Sequence, residues 1–270
     1  MIYWNPDPDL FVIPYFNHPI KWYGLFFVIG FLFGYKYVQK DLKNYTDDPK
    51  AMIDKLIWYI LAGTIFGSRI GHVLFYEPIS YLKNPLEIFK IWKGGLASHG
   101  GTVGVVIALA LFVYFNRKEY PKLTFVRLLD IVAVPTALVA FFIRLGNFFN
   151  QEIIGTETKL PWGVIFGNPF DGSDIVPRHP TQLYEGLCYL AIFFFLLWYK
   201  RQNPAPGKII GWFFVMVFGS RFFIEYTKEI QPSPYNLDFI QVGQWLSIPF
   251  ILLGFYFIYT AANRKAVDLN

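Results

Sequence analysis

Cysteine occurs once in the 270 residues, at Cys188 inside an apolar run. One cysteine excludes an intrachain disulfide and a cysteine-based metal site. Histidine is nearly as scarce. The four histidines are scattered, no His-Glu-x-x-His occurs, and their spacing suggests no metal centre. Charge is thin as well: Asp, Glu, Lys and Arg make up 16% of the chain, against roughly 25% in a soluble domain. A water-soluble globule is therefore not expected. The first ten residues carry Asp7 and Asp9 but no basic cluster, so no cleaved signal peptide is expected either. Internal repeats and low-complexity tracts are absent. What fills the chain is apolar: 54% hydrophobic and 21% aromatic residues, with a mean hydropathy of +0.37. An all-α integral membrane protein follows. The net charge of +5 suits anionic lipid headgroups and needs no nucleic-acid partner. Nothing implies a cofactor.

Seven apolar runs are long enough to cross a bilayer at about 20 residues per helix. They cover residues 22–39, 54–76, 95–115, 125–146, 183–200, 208–226 and 241–262 of a single polytopic domain spanning 1–270. The connections between them are short and polar, except for 147–182. That segment is rich in Gly, Pro and Asp and reads as a small folded cap. Lys and Arg in the connections set the orientation. Thirteen fall on the side of the 1–2, 3–4 and 5–6 connections and the tail, and seven fall opposite. The richer side should be cytoplasmic, leaving the N-terminus and the 147–182 cap outside.

That topology gathers the intramembrane polar residues in the outer half of the bilayer. Tyr23 and His99 lie near the outer starts of the first and third helices, and Arg69 in the outer half of the second. Arg144 lies near the outer end of the fourth, and Arg178, His179, Gln182 and Tyr184 at the outer start of the fifth. Arg221 and Glu225 sit toward the outer end of the sixth, and Gln241 and Gln244 at the outer start of the seventh. Asp130 is the exception; at 1.5 Å per residue it lies about 21 Å from Arg144, so Arg127 or a loop lysine is its expected partner. Glycines at four-residue spacing (Gly30/Gly34, Gly63/Gly67/Gly71, Gly100/Gly104) predict close helix approach.

An arginine in an apolar helix costs roughly 2.5–3.5 kcal/mol by insertion scales. Arg144 can meet that cost by snorkelling to the headgroups. Yet Arg144, Asn147 and Gln151 share one helical face, flanked by Asn150 and Glu152, and snorkelling requires no such polar continuation. The face reads as the wall of a polar cavity. Two arginines, Arg144 and Arg221, suggest a bound phosphate, which in a bilayer belongs to a phospholipid. Arg221 has a plainer reading as the i,i+4 partner of Glu225. His99, between Gly94-Gly95 and Gly100-Gly101, suits a general base near neutral pH, or else helix packing. Residues alone leave a lipid-modifying enzyme and a lipid flippase or anion transporter both open. A transporter would more often show internal repeats. A retinal-type receptor would want a lysine in the last helix, where residues 245–260 have none.

Seven ordered segments resemble one family, the prolipoprotein diacylglyceryl transferases. They are Ile20–Gly24, Gly67–Gly71, Gly94–Gly101, Arg144–Glu152 with Gly155, Arg178–Glu185, Arg221–Glu225 and Gly243–Ser247, while 156–177 matches poorly. The resemblance implies a multi-pass enzyme of the bacterial plasma (inner) membrane, working as a monomer. It would transfer diacylglyceryl from phosphatidylglycerol to the lipobox cysteine of a preprolipoprotein signal peptide, giving a thioether and glycerol phosphate. It implies His99, Arg144 and Arg221 as catalytic. Tyr23, Asn147, Asn150, Glu152, Gly155, Arg178, Gln182, Tyr184, Glu225 and Gln244 would join Arg144 in holding substrate. Cys188 has no expected role, because the reacting sulfur belongs to the substrate.

Overall fold

The computed structural model describes residues 1–15, 18–75, 78–229 and 241–264, without the side chains of His18, Phe75, Ser80, Lys93, Ser98, His99 and Val242. In chain order the elements are β1 (Ile2–Trp4), β2 (Asp9–Ile13), β3 (His18–Lys21), α1 (Trp22–Leu42), α2 (Pro49–Phe75), α3 (Pro78–Lys83), α4 (Ser98–Asn116) and α5 (Phe125–Phe149). They continue with β4 (Val164–Phe166), β5 (Pro177–Arg178), α6 (Thr181–Lys200), α7 (Lys208–Ile224) and α8 (Val242–Thr260). Each of the seven apolar runs holds a helix of 17 to 27 residues among the described residues. Five stretches are long and apolar enough to cross a membrane: Pro49–Leu74, Phe125–Phe149, Thr181–Lys200, Lys208–Thr227 and Gly243–Asn263. Gly100–Asn116 is a shorter apolar helix, and α1 carries Lys36, Lys40 and Asp41 in its second half.

Among the described residues the chain divides into two compact units, one comprising residues 1–37 and 130–264, the other Val38–Leu129. In the first, the segment after α5 is folded together with residues from the N-terminus. It recruits the N-terminal residues into a three-stranded sheet of order β1-β4-β5. Ile2, Tyr3 and Trp4 pair in parallel with Val164, Ile165 and Phe166, and β5 runs antiparallel to β4. β1 and β4 are short runs of aromatic and β-branched residues, suited to a half-buried pleat. A separate hairpin, β2–β3, leads directly into α1. Phe148, Ile154, Val164 and Phe166 form a small core, with Trp4, Phe149 and Leu183 packed against it. The Trp4 indole N–H donates to the Phe148 carbonyl at 3.1 Å, pinning the N-terminal segment to the end of α5.

Asp130 has a role that its sequence position does not announce. Its carboxylate accepts the backbone N–H of Gly207 (2.6 Å) and of Ile210 (2.8 Å). A residue of α5 thus caps the N-terminus of α7, where unsatisfied amides and the helix dipole favour an anion. In the second unit α2 and α4 meet backbone to backbone. A Cβ on Gly71 would lie 2.7 Å from the Gly100 Cα, and Gly63, Gly67 and Gly104 are as confined. The expected close approach therefore holds for this pair. Gly34 is different, because a Cβ there would make only ordinary contact with Pro135 at 3.7 Å.

Candidate active site

The end of α5 builds one wall of the site. Arg144 Nη1 donates to Asn147 Oδ1 at 3.1 Å. Asn147 Nδ2 donates to Glu152 Oε2 at 3.0 Å, and Asn150 Nδ2 to Glu152 Oε1 at 2.8 Å. Two amides therefore hold the carboxylate, and one of them also holds the arginine. Tyr23, at the start of α1, lies over Gly146, where a Cβ would come within 2.6 Å of its ring. Gln151 leaves this face, contrary to the helical-wheel reading. The helix ends at Phe149, and Gln151 takes a left-handed φ of 55°. Its side chain then serves the sheet segment: Nε2 donates to Asn5 Oδ1 at 3.1 Å, and Oε1 accepts the Asn168 N–H at 2.7 Å.

At the centre of the cluster is a residue not singled out from the sequence. Glu185, one turn into α6, is wholly buried. Arg144 Nε lies 2.5 Å from its Oε2, as an ion pair rather than an aligned hydrogen bond. Lys228 Nζ lies 2.8 Å from its Oε1, and Arg221 Nε 4.0 Å from the same oxygen. Lys228 also bonds Glu225 Oε2 at 3.0 Å. The expected Arg221–Glu225 pair is thus replaced: Lys228 holds Glu225, and Arg221 turns toward Glu185. The available signal was a carboxylate inside an apolar helix, which requires a named counter-charge. Three cations face Glu185 and Glu225, and Glu152 joins the cluster through Asn147, so its formal charges balance. Arg221, with a side chain 36% exposed and only that long contact, keeps most of its donors unspent among the described residues. Such an arrangement suits an anionic ligand with several oxygens.

Several other expected site residues serve the frame. Arg178 is buried; it donates to the Gly155 carbonyl at 3.2 Å and to Asp174, and pairs with Glu229. Gly155 is closed in, its N–H donating to the His179 carbonyl at 3.0 Å. Tyr184 takes the Trp162 indole N–H at 2.9 Å and faces His179 Nδ1 at 3.1 Å. Gln244 is fully buried and forms the reciprocal cap of α8 with Gln241, while its Nε2 donates to the Phe222 carbonyl. Gln182 is also buried, with Nε2 donating to the Glu152 carbonyl at 2.6 Å. Nearby, burial pushes the Asp171 carboxyl up, but hydrogen bonds from Ser173 and the charge of Arg178 outweigh it and leave the group below its ordinary value.

The remaining expected residues belong to the second unit. His99 is the second residue of α4; its imidazole lies outside the described residues. Arg69, on α2, is buried against the segment leading to it. Nε donates to the Ile88 carbonyl (2.8 Å), Nη1 to those of Gly94 (2.8 Å) and Gly95 (3.1 Å), and Nη2 to that of Glu87.

With this geometry in place, comparison with known proteins adds a decisive match. A family model described as prolipoprotein diacylglyceryl transferase covers residues 8–260. The chain belongs to the prolipoprotein diacylglyceryl transferase family. Curated members similar to it are named phosphatidylglycerol–prolipoprotein diacylglyceryl transferase. The one from Tolumonas auensis is 45% identical, across 98% of this chain and 100% of the relative. The one from Porphyromonas gingivalis is 43% identical over 97% and 95%, and that from Chloroherpeton thalassium 40% over 99% and 97%. Members of the family thus match this chain along nearly its whole length, through both units.

Proposed function

We propose that this protein transfers the diacylglyceryl group of phosphatidylglycerol to the lipobox cysteine of a preprolipoprotein. The observation that carries this reading is the near-full-length match to relatives bearing that name. All seven long helices cross the bacterial plasma membrane in this reading, with the N-terminus and the sheet segment outside, the C-terminus inside, and the monomer as the working unit. The preference of Lys and Arg for one set of connections supports that orientation.

The reaction forms a sulfur–carbon bond at the glyceryl carbon and breaks the bond from that carbon to the phosphate ester oxygen. The electron pair leaves on the phosphate, giving glycerol phosphate, and the thiol proton must go to a base. A free thiol has a pKa of about 8.5 and is mostly protonated at neutral pH. His99 takes that proton in this scheme. Arg144 and Arg221 bind the phosphate and stabilise the charge that develops on the leaving oxygen. Lys228 and Glu185 keep the two guanidinium groups spaced, and Glu225 in turn holds Lys228. Tyr23, Asn147, Asn150 and Glu152 orient the headgroup or the peptide. Arg178, Gln182, Tyr184, Gly155 and Gln244 act on substrate through the frame they build rather than by touch.

The test incubates purified protein with labelled phosphatidylglycerol and a lipobox peptide and follows the thioether product by mass spectrometry. Product from the wild type and none from folded Arg144→Ala supports the assignment. Arg144→Lys should recover little, because an ammonium cannot offer a bidentate fork. Failure of the wild type to make thioether would reject the reading, and wild-type turnover in Arg144→Ala would reject the arginine's role.

A further inference from the structure

The buried guanidinium of Arg69 makes four hydrogen bonds, all to backbone carbonyls and none to a carboxylate among the described residues. Its acceptors, Glu87, Ile88, Gly94 and Gly95, belong to one connecting segment, and the Tyr81 ring lies 5.0 Å from the guanidinium carbon. Gly94 and Gly95 have φ of 84° and 71°, conformations that let two successive carbonyls turn toward one nitrogen. The next tie comes from the neighbouring residue of α2. The Ala97 N–H donates to the Ser68 carbonyl at 2.9 Å. Three residues on, Gly100 packs against the backbone of Gly67 and Gly71. His99 thus sits between two fixed points on α2, with the segment before it gripped by Arg69. A lysine could not reproduce this grip, since its donors diverge from one nitrogen, whereas a guanidinium spreads five over a rigid plane.

We propose that Arg69 is a positioning residue for the transfer. By holding the carbonyls of residues 87–95, it fixes the backbone that carries His99, and it acts on the reaction only through His99. This rests on the reading of His99 as the base. A buried cation spent wholly on a connecting segment stabilises one backbone path, and small displacements of a reacting group are costly to rate. Gly95 offers a second way to break the grip. A Cβ there would lie 2.8 Å from Arg69 Nη1 and from the His72 ring, at a φ that strains any side chain, so Gly95→Ala disrupts the contact between the segment and the guanidinium without removing Arg69.

The experiment measures thioether formation by Arg69→Gln, Gly95→Ala, His99→Ala and the two double variants that include His99→Ala. Arg69→Gln should lower kcat about 10- to 100-fold and leave KM for phosphatidylglycerol within about twofold. Its rate should recover in part at about pH 9, where the peptide thiol ionises unaided. Gly95→Ala should behave alike, and neither change should slow His99→Ala further. Multiplied losses in the double variants, as for independent sites, would overturn the proposal, as would a wild-type rate in Arg69→Gln. Loss of the cooperative thermal transition in both Arg69→Gln and Gly95→Ala would also overturn it, making Arg69 a residue of the fold alone. Full turnover by His99→Ala would show that the base reading itself had failed, and the proposal with it.

Discussion

Lys228 and Arg221 reach the same carboxylate oxygen of Glu185, yet their surroundings assign them opposite sensitivities. Lys228 is buried between Glu185 and Glu225. Lys228→Met leaves buried carboxylates short of a partner, and stability should fall by about 3–5 kcal/mol, read from thermal unfolding in detergent. Arg221 is half-exposed and 4.0 Å away. Arg221→Gln should change stability by less than about 1 kcal/mol, while thioether formation falls at least about tenfold. The reverse pattern would move the phosphate contact from Arg221 to Lys228. A second case at this scale lies in the connection after α4. Burial and a hydrogen bond to Glu119 push the Tyr120 phenol up to about 12, its hydroxyl donating to Glu119 Oε1 at 2.6 Å. The folded state thus favours the neutral phenol more than the unfolded chain, whose tyrosines ionise near pH 10. The contribution is fully present below about pH 10 and is lost as pH rises toward about 12. Tyr120→Phe should flatten the alkaline fall in melting temperature, and an unchanged slope would remove Tyr120 from that account.

Among the elements, α7 depends on a residue supplied by α5. Asp130→Ala removes the acceptor of the Gly207 and Ile210 amides and should cost about 0.5–2 kcal/mol, as cap losses do. Asp130→Asn should cost less, since it keeps one oxygen. Hydrogen exchange at Gly207 and Ile210 should accelerate in the alanine variant, and unchanged protection there would exclude the cap. The helices themselves were legible because long apolar runs leave few alternatives in a membrane. The Asp130 cap was not, since its donors lie on a helix far along the chain. The three residues of β1 were equally opaque. Ile2-Tyr3-Trp4 is too short to show a period, and its partner is Val164–Phe166. Sequence spacing likewise placed Gln151 beside Arg144, but the helix stops two residues earlier and the left-handed turn redirects the amide.

Across the whole molecule, the polar cluster at the end of α5 was more legible in the sequence than the supports around it. Arg144, Asn147 and Glu152 form the linked set expected of them, because a polar face on an apolar helix has few uses. Arg178 and Gln244 carry similar donors but are spent on carbonyls, an ion pair with Glu229 and a helix cap. Residue type declares hydrogen-bonding capacity, and only the fold says what consumes it. The sheet adds a consequence in time. Residues 2–4 leave the ribosome long before residues 164–166, their hydrogen-bonding partners. At about 5–20 residues per second the wait is roughly 8–30 s. Stalled chains that end before β4 should be cut by protease around Trp4, and chains extended well past β5 should resist. Early resistance would mean that the segment finds a temporary partner. In the order of synthesis, β1 is made early and waits for a partner from the second half of the chain.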